Sequence, residues 1–153
     1  MRPTLCIRPY SAADEQQVID LWFQCHLISP SNNPQKDIAR KLTVNPELFF
    51  VGVLDEGIVA TCMAGYEGHR GWINYLAVKP EYQHQGIARQ MMEAAEQALR
   101  GRGCPKINLQ VRSTNTAVLA VYEKLGFTKD DVVSMGKRLV LDREPSPYNP
   151  RIR

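Results

Sequence analysis

A strongly apolar strand that leads into a long helix is the feature that most constrains the fold of this chain. Residues 72–78 (Trp-Ile-Asn-Tyr-Leu-Ala-Val) predict a buried strand, which ends at Lys79 and Pro80. From about Gly86 to Arg100, apolar residues recur at helical spacing, and the Gly-Arg-Gly sequence that follows is suited to end a helix. Because such a strand must be buried by neighbouring strands and helices, this unit predicts a sheet covered by helices.

The rest of the chain extends this unit into a mixed α/β fold. Turn residues at 55–57 join two apolar runs and predict a hairpin, and Val18, Leu21 and Trp22 share one helical stripe. The predicted order is strand, two helices, three strands, helix, strand, helix and one or two final strands, which favours a mostly antiparallel sheet. The predicted strands are 5–8, 48–54, 58–66, 72–78 and 106–111, with short ones around 127 and at 137–141.

Length and composition exclude several classes of protein. The 153 residues are expected to form one domain over 1–142, followed by a Pro-rich tail at 143–153. With 44% hydrophobic and 23% charged residues, the chain is neither disordered nor fibrous. The sequence shows no apolar run of a membrane span and no secretory signal, so a cytoplasmic location without membrane binding is expected. A net charge of +3 is too small to indicate nucleic acid, but it suits a small polyanion.

The cysteines and histidines do not predict a metal site or a nucleophile. The four cysteines and three histidines are spread singly, whereas metal ligands cluster at short spacing. No Cys/His or Ser/His/Asp arrangement can be placed, so reduced cysteines packed in the core are expected. The expected metal complement is therefore none.

The segment between the strand and the long helix carries the first chemical signal. At 83–88 the sequence is Gln-His-Gln-Gly-Ile-Ala, at the start of the predicted helix. The first backbone N–H groups of a helix lack partners and lie at the positive end of the helix dipole, so they can bind an anion. Gly86 and Ala88 leave room for a phosphate to approach the backbone. Neither the dinucleotide fingerprint nor the P-loop sequence is present.

A second signal lies about thirty residues further along the chain. Asn115 begins a predicted helix, and Tyr122 follows two helical turns later on the same face. Taken alone, this pair favours a helix cap and a core tyrosine.

Together these segments resemble the GNAT family of N-acetyltransferases. The resemblance rests on the Gln-x-x-Gly-x-Ala pattern at 83–88 after the strand end at 76–78, on Asn115, and on Tyr-Glu-Lys-Leu-Gly-Phe at 122–127. It covers about residues 4–142 and implies a mixed, mostly antiparallel sheet of six to seven strands, splayed between the fourth and fifth, with about four helices. Further stretches are similar to the bacterial YpeA-type subgroup, at 65–71, 102–107 and 136–139.

The resemblance also implies a function and a set of site residues. An acetyl group would move from acetyl-CoA to a primary amine by direct attack in a ternary complex. The backbone N–H of Val78 would hold the developing oxyanion, and Tyr122 would protonate the leaving thiolate. The residues implied to bind the cofactor are Leu76, Ala77, Val78, Gln83, His84, Gln85, Gly86, Ile87, Ala88, Arg89, Asn115 and Tyr122.

One departure from the family leaves the proton acceptor open. Several relatives that acetylate protein N-termini carry a glutamate five residues before the asparagine, and here that position is Gln110. An amide cannot act as a base at neutral pH, so either another carboxylate acts through water or no base is needed. Glu47 and Glu67 are the candidates by position. The alternative function is a catalytically weak sensor that binds acyl-CoA. The expected acceptor is a small-molecule or peptide amine. A homodimer is compatible with the family.

Overall fold

Five strands and four α-helices make up the computed structural model, which describes residues 4–142. The strands are β1 (Cys6–Pro9), β2 (Phe49–Leu54), β3 (Gly57–Tyr66), β4 (Gly71–Val78) and β5 (Ile107–Asn108). The helices are α1 (Glu15–Gln24), α2 (Pro34–Lys41), α3 (Ile87–Arg100) and α4 (Thr116–Lys124). The predicted tail at 143–153 lies outside the described residues.

The strands lie in the sheet in chain order, and the last pair is the exception in direction. β1 to β4 are antiparallel neighbours, whereas β5 returns through α3 and lies parallel to β4. Only Gly71 and Trp72 of β4 pair with β5. Beyond them, residues 73–78 have no strand partner on this edge among residues 4–142. The mixed, mostly antiparallel fold and its split between the fourth and fifth strands are therefore confirmed.

The sheet has five described strands rather than the expected six or seven. The fifth strand, predicted at 106–111, pairs over two residues only. Such a short strand offers little edge for a further strand to pair with, and the segments predicted around 127 and at 137–141 form no ladder in the structure. The apolar side chains at 137–141 stay outside the core, as Leu139 shows with 87% exposure, whereas Phe127 is partly buried against the α3 core.

A β-bulge bends β4 three residues beyond its last pair with β5. Thr61 pairs with Ala77 and Met63 pairs with Asn74, so two residues of β4 oppose Cys62 alone. One of these two, Tyr75, has φ +50°, a left-handed conformation that is rare for a bulky residue. Bulges bend a strand and change the direction of its side chains. This bulge therefore orients the last residues of β4 independently of its beginning.

The two faces of the sheet carry separate apolar cores. On one face, α1 and α2 bury Trp22, Phe49 and Val51, while on the other face α3 buries Met91 and Leu99. The Trp22 ring is fully buried, and its Nε1 donates a hydrogen bond of 2.9 Å to the Thr61 hydroxyl. A buried indole N–H needs such a partner. The site described below lies where the two cores meet the open end of β4.

An ion pair between the partly exposed Arg8 and the buried Asp14 connects β1 to the beginning of α1. The Asp14 carboxylate accepts hydrogen bonds from both terminal nitrogens of Arg8, at 2.7 and 2.9 Å, and from the Ser11 N–H at 2.8 Å. The Arg8 guanidinium lowers the pKa of Asp14 below its usual value. This carboxylate stabilises the fold above the unfolded value of about 4, and that stability is lost as the pH falls through the lower folded pKa.

Replacing Asp14 tests this connection. We expect Asp14→Asn to lower the free energy of unfolding at pH 7 by about 1.5–3 kcal/mol, because hydrogen bonds to a charged group are lost. The difference from the wild type should shrink below about pH 4, as measured by urea unfolding at several pH values. Asp20→Asn, which changes an exposed carboxylate on α1, serves as the control. A difference that persists unchanged at low pH would contradict the assignment.

Candidate active site

The end of β4 presents backbone groups to the gap beside β5. Val78 lies opposite Ala60, and the next residue, Lys79, donates its N–H to the Val59 carbonyl at 2.7 Å. Because adjacent residues of an antiparallel strand point their backbone groups in opposite directions, those of Val78 point away from β3. The Val78 carbonyl accepts hydrogen bonds from Gln83 Nε2 at 3.0 Å and from Cys25 Sγ at 3.3 Å. Its N–H therefore faces the split.

A tight loop delivers the chain from β4 to the beginning of α3. A 3-10 turn at Pro80–Tyr82 starts the loop, and both His84 (φ +64°) and Gly86 (φ +83°) adopt left-handed conformations. Gly86 is the N-cap of α3, so the N–H groups of Ile87, Ala88 and Arg89 have no acceptor within the helix. A Cβ built on Gly86 would meet no atom within 4 Å. The helix thus opens with donors beside free space, which suits an anion such as a diphosphate.

The predicted signature at the end of α4 is a helix-capping motif. Gly126 has φ +97°, the Phe127 N–H donates to the Tyr122 carbonyl at 3.1 Å, and the Gly126 N–H donates to the Glu123 carbonyl at 3.1 Å. These two bonds form a Schellman cap, which places Phe127 edge-on against the Tyr122 ring at a centroid distance of 5.7 Å. The motif therefore fixes the position of the Tyr122 side chain.

Tyr122 is half-buried and keeps its proton. Burial, and to a lesser extent the nearby Cys62 thiol, raises the pKa of Tyr122 to about 12. The hydroxyl is consequently a hydrogen-bond donor at neutral pH. The guanidinium of Arg89, in the first turn of α3, donates to the Lys124 carbonyl at 3.0 Å and so connects this helix to α4.

Two predicted polar residues already use their side chains within the fold. Asn115 is the N-cap of α4, and its Oδ1 accepts from the Val118 N–H at 3.3 Å. Its amide nitrogen is the group left for a ligand. Gln110 is exposed and donates through Nε2 to the Ser134 hydroxyl.

The sequence comparison assigns the chain to a family. The family model for the acetyltransferase (GNAT) family matches residues 15–127. The chain belongs to this family. It is 44% identical over 138 residues to the acetyltransferase YE1169 of Yersinia enterocolitica and 46% identical over 138 residues to the acetyltransferase ECA0875 of Pectobacterium atrosepticum. Each alignment covers 90% of this chain and 98% of the relative, so the predicted family and enzyme class are confirmed.

Solved structures of other acetyltransferases share the fold. The ribosomal-protein-S18-alanine N-acetyltransferase of Escherichia coli aligns with a TM-score of 0.70 at 24% identity, over 83% of this chain and 79% of the other. AAC(6')-Iy in complex with the bisubstrate analogue CoA-S-monomethyl-acetylneamine aligns with a TM-score of 0.73 at 19% identity, over 88% and 99%. Within residues 4–142, no helix is long and apolar enough to cross a membrane.

The two glutamates considered as bases lie far from the end of β4 in this acetyltransferase. Glu67 follows β3, and its carboxylate accepts from the backbone N–H groups of His69 and Arg70 in the turn before β4. Glu47 precedes β2 and forms an ion pair of 2.7 Å with Arg102, beyond the C-terminal end of α3. Val78 ends β4, about eight residues or 25 Å of strand away from that turn. Neither carboxylate lies at the end of β4, so Glu47 and Glu67 stay predictions of a base that would act through water.

Sequence reasoning missed a polar cluster on the α1 and α2 face. The Tyr75 hydroxyl donates to the Asp37 carboxylate and accepts from Asn32 Nδ2 at 2.8 Å. Burial, reinforced by Asp37, raises the pKa of Tyr75 well above its usual value. The Tyr75 ring is stacked on Trp22 at 3.7 Å between centroids. The sequence predicts Tyr75 only as one more residue of an apolar strand, since its contacts with Asp37 and Asn32 depend on the bulge.

The ionisation of Tyr122 can be measured directly. A phenol with a pKa of about 12 stays protonated at pH 11, so removing it should leave the tyrosinate absorbance change between pH 9 and 11 unchanged. We expect Tyr122→Phe and the wild type to give superimposable curves near 295 nm in this range. Loss of one tyrosine's amplitude with a midpoint near pH 10 would contradict the assignment.

Proposed function

We propose that this protein transfers the acetyl group of acetyl-CoA to a primary amine by direct attack in a ternary complex. The observation that carries the proposal is the end of β4, which has no strand partner on its β5 side and lies beside the first turn of α3. An extended pantetheine arm can add to such a free strand edge through backbone hydrogen bonds. The diphosphate of the same cofactor would then reach the helix N-terminus.

The residues present fit coenzyme A at each of these points. Backbone groups of Leu76 and Val78 would pair with the pantetheine arm, while those of Ala77, between them, point toward β3. The diphosphate would accept hydrogen bonds from the N–H groups of the loop and first turn, where Gly86 leaves open space. Side chains contribute less here, since Ile87 is buried in the core and Gln83 bonds the Val78 carbonyl. The proposed cofactor-loop residues are Gln83, His84, Gln85, Gly86, Ile87, Ala88 and Arg89.

Two groups would stabilise charge during the transfer. The Val78 N–H would donate to the thioester oxygen as it becomes an oxyanion. The Tyr122 hydroxyl would donate to the sulfur as the C–S bond breaks. With a pKa of about 12, it holds its proton about 3.5 units more tightly than an ordinary thiol of about 8.5, so full proton transfer to sulfur is uphill by about 5 kcal/mol. Tyr122 thus acts mainly as a hydrogen-bond donor to the leaving thiolate, which takes its proton from solvent.

The acceptor class follows in part from amine basicity. An α-amine of pKa about 8 is about a tenth deprotonated at pH 7, whereas a lysine amine of pKa about 10.4 is deprotonated in about one of two thousand molecules. Without a glutamate at position 110, a less basic amine is the favoured acceptor. The two similar structures are named for a protein alanine N-terminus and for an acetylneamine analogue. Both kinds of acceptor belong in a test.

The test of the function is thiol release from acetyl-CoA with four amines. We would use glycinamide, spermidine, kanamycin and a short peptide with a free N-terminal alanine, and confirm acetylation of the amine by mass spectrometry. Turnover with any of them supports the proposal. Tight binding of acetyl-CoA in a calorimeter without release for any amine would favour the acyl-CoA sensor instead, and absence of binding would refute both.

Removal of the Tyr122 hydroxyl should impair the reaction step. We expect Tyr122→Phe to lower kcat by about 10- to 1000-fold, while the affinity for acetyl-CoA in the calorimeter changes little, because the hydroxyl serves the leaving sulfur. Tyr66→Phe is the matched control, since Tyr66 donates to the Gly68 carbonyl at the opposite end of β3. Unchanged turnover in Tyr122→Phe would remove it from the mechanism.

Gly86 and Gly103 provide a matched pair for the diphosphate site. Both have positive φ and open space at the Cβ position, one at each end of α3. Alanine at either should cost about 1–2 kcal/mol of stability. Only Gly86→Ala should also weaken coenzyme A binding, by about tenfold or more, measured by calorimetry. Equal affinity in both variants would exclude the loop as the diphosphate site.

A further inference from the structure

Tyr75 is held in a defined position on the face of the sheet that Tyr122 does not occupy. Alternate residues at the end of β4 belong to different cores: Tyr75 and Ala77 pack with α1, whereas Leu76 and Val78 pack with α3. Tyr122 also packs with the α3 core. The two tyrosines therefore approach the split in β4 from opposite sides.

The connection between α1 and α2 brings the Tyr75 cluster to the reacting end of β4. Cys25, directly after α1, contacts the Val78 carbonyl through its thiol at 3.3 Å. Seven residues later, Asn32 contacts the Tyr75 hydroxyl at 2.8 Å. This loop thus spans the last four residues of β4. Asn32 is itself fixed, because its Oδ1 accepts from the Ser29 N–H at 2.7 Å and from the Ser29 hydroxyl at 2.8 Å.

The hydroxyl of Tyr75 has capacity for one more hydrogen bond. It donates its proton to Asp37 and uses one lone pair for Asn32. A phenol oxygen offers a second lone pair, which can accept an N–H from an incoming amine. The Asp37 side chain is 25% exposed, and the Arg40 guanidinium stays 3.9 Å from its other oxygen while pairing closely with Asp142 at 2.7 Å. The carboxylate is thus only loosely neutralised.

We propose that Tyr75 and Asp37 form the acceptor site, in which the Tyr75 oxygen receives the amine and relays its proton to Asp37. This inference rests on the proposed function and names the proton acceptor that Gln110 cannot be. The acceptor would enter from the α1 and α2 face, under the loop that joins these helices. The thioester would be presented by β4, with its sulfur toward Tyr122.

With these groups, every proton and bond of the reaction is accounted for. The neutral amine attacks the thioester carbon, so an N–C bond forms and the C–S bond breaks. The amine proton passes to the Tyr75 oxygen while the Tyr75 proton passes to the Asp37 carboxylate. The sulfur leaves as a thiolate that accepts a hydrogen bond from the Tyr122 hydroxyl, and it then takes a proton from water. Asp37 loses its proton to water, so the products are the amide and the thiol.

A double-mutant cycle tests the relay. We expect Tyr75→Phe and Asp37→Asn each to lower kcat/KM at least about 100-fold with the most reactive of the four amines above. The double variant should be within about threefold of the poorer single variant, because both residues serve one transfer. Effects that multiply would contradict a relay, and single variants with near wild-type kcat/KM would overturn the proposal.

Controls separate this role from a structural one. Tyr66→Phe and Asp20→Asn remove a hydroxyl and a carboxylate elsewhere and should leave kcat/KM within about twofold. Calorimetry with acetyl-CoA and the melting temperature by circular dichroism show whether each variant keeps its cofactor site and fold. If Tyr75→Phe does not fold, Asp37→Asn, which retains the aromatic stack, decides the outcome.

A binding measurement tests the site without turnover. Methylammonium chloride is titrated into carbon-13 tyrosine-labelled protein, with sodium chloride as the control for ionic strength. The Tyr75 ring signal, assigned by its absence in Tyr75→Phe, should shift with methylammonium alone, and Asp37→Asn should abolish the shift. No shift in the wild type would overturn the acceptor site even where acetyl-CoA binds, whereas failure of the proposed function would appear as a loss of acetyl-CoA binding.

Discussion

The separation of β4 from β5 after two paired residues is the constraint on which the rest of the site depends. Along its other edge β4 pairs with β3 at both ends and is interrupted only by the bulge, so the strand is held in place although most of it lacks a second neighbour. The bulge at Tyr75 falls within the part of β4 that lacks a β5 partner, and it turns the side chains and backbone groups there in two directions. Free backbone donors, an opening helix and two tyrosines then meet at one end of the sheet.

The sequence predicted most of the parts that depend on local chain chemistry. The strand at 72–78, the helix from Gly86 and the turn at 55–57 are set by spacing and by residues that tolerate particular backbone angles. The split in the sheet could not be derived from these patterns and came through the family resemblance. The short β5 explains the error in the strand count, since edge pairing depends on partners distant in the chain.

The site was predictable only where it is continuous in sequence. The loop at 83–89 and the pair Asn115 and Tyr122 carry readable motifs, whereas Asp37 and Tyr75 lie 38 residues apart and meet through a bulge. No local pattern marks such a contact. The same reason explains why Glu47 and Glu67 were considered as bases, because position along the chain does not reveal which end of a strand a carboxylate occupies.

The bond from Arg89 to the Lys124 carbonyl has a mechanical consequence. It joins the first turn of α3 directly to the last turn of α4. Any ligand that immobilises the beginning of α3 also restrains the helix that bears Tyr122. A cofactor bound at the beginning of α3 would thereby reduce the motion of the aromatic group on α4.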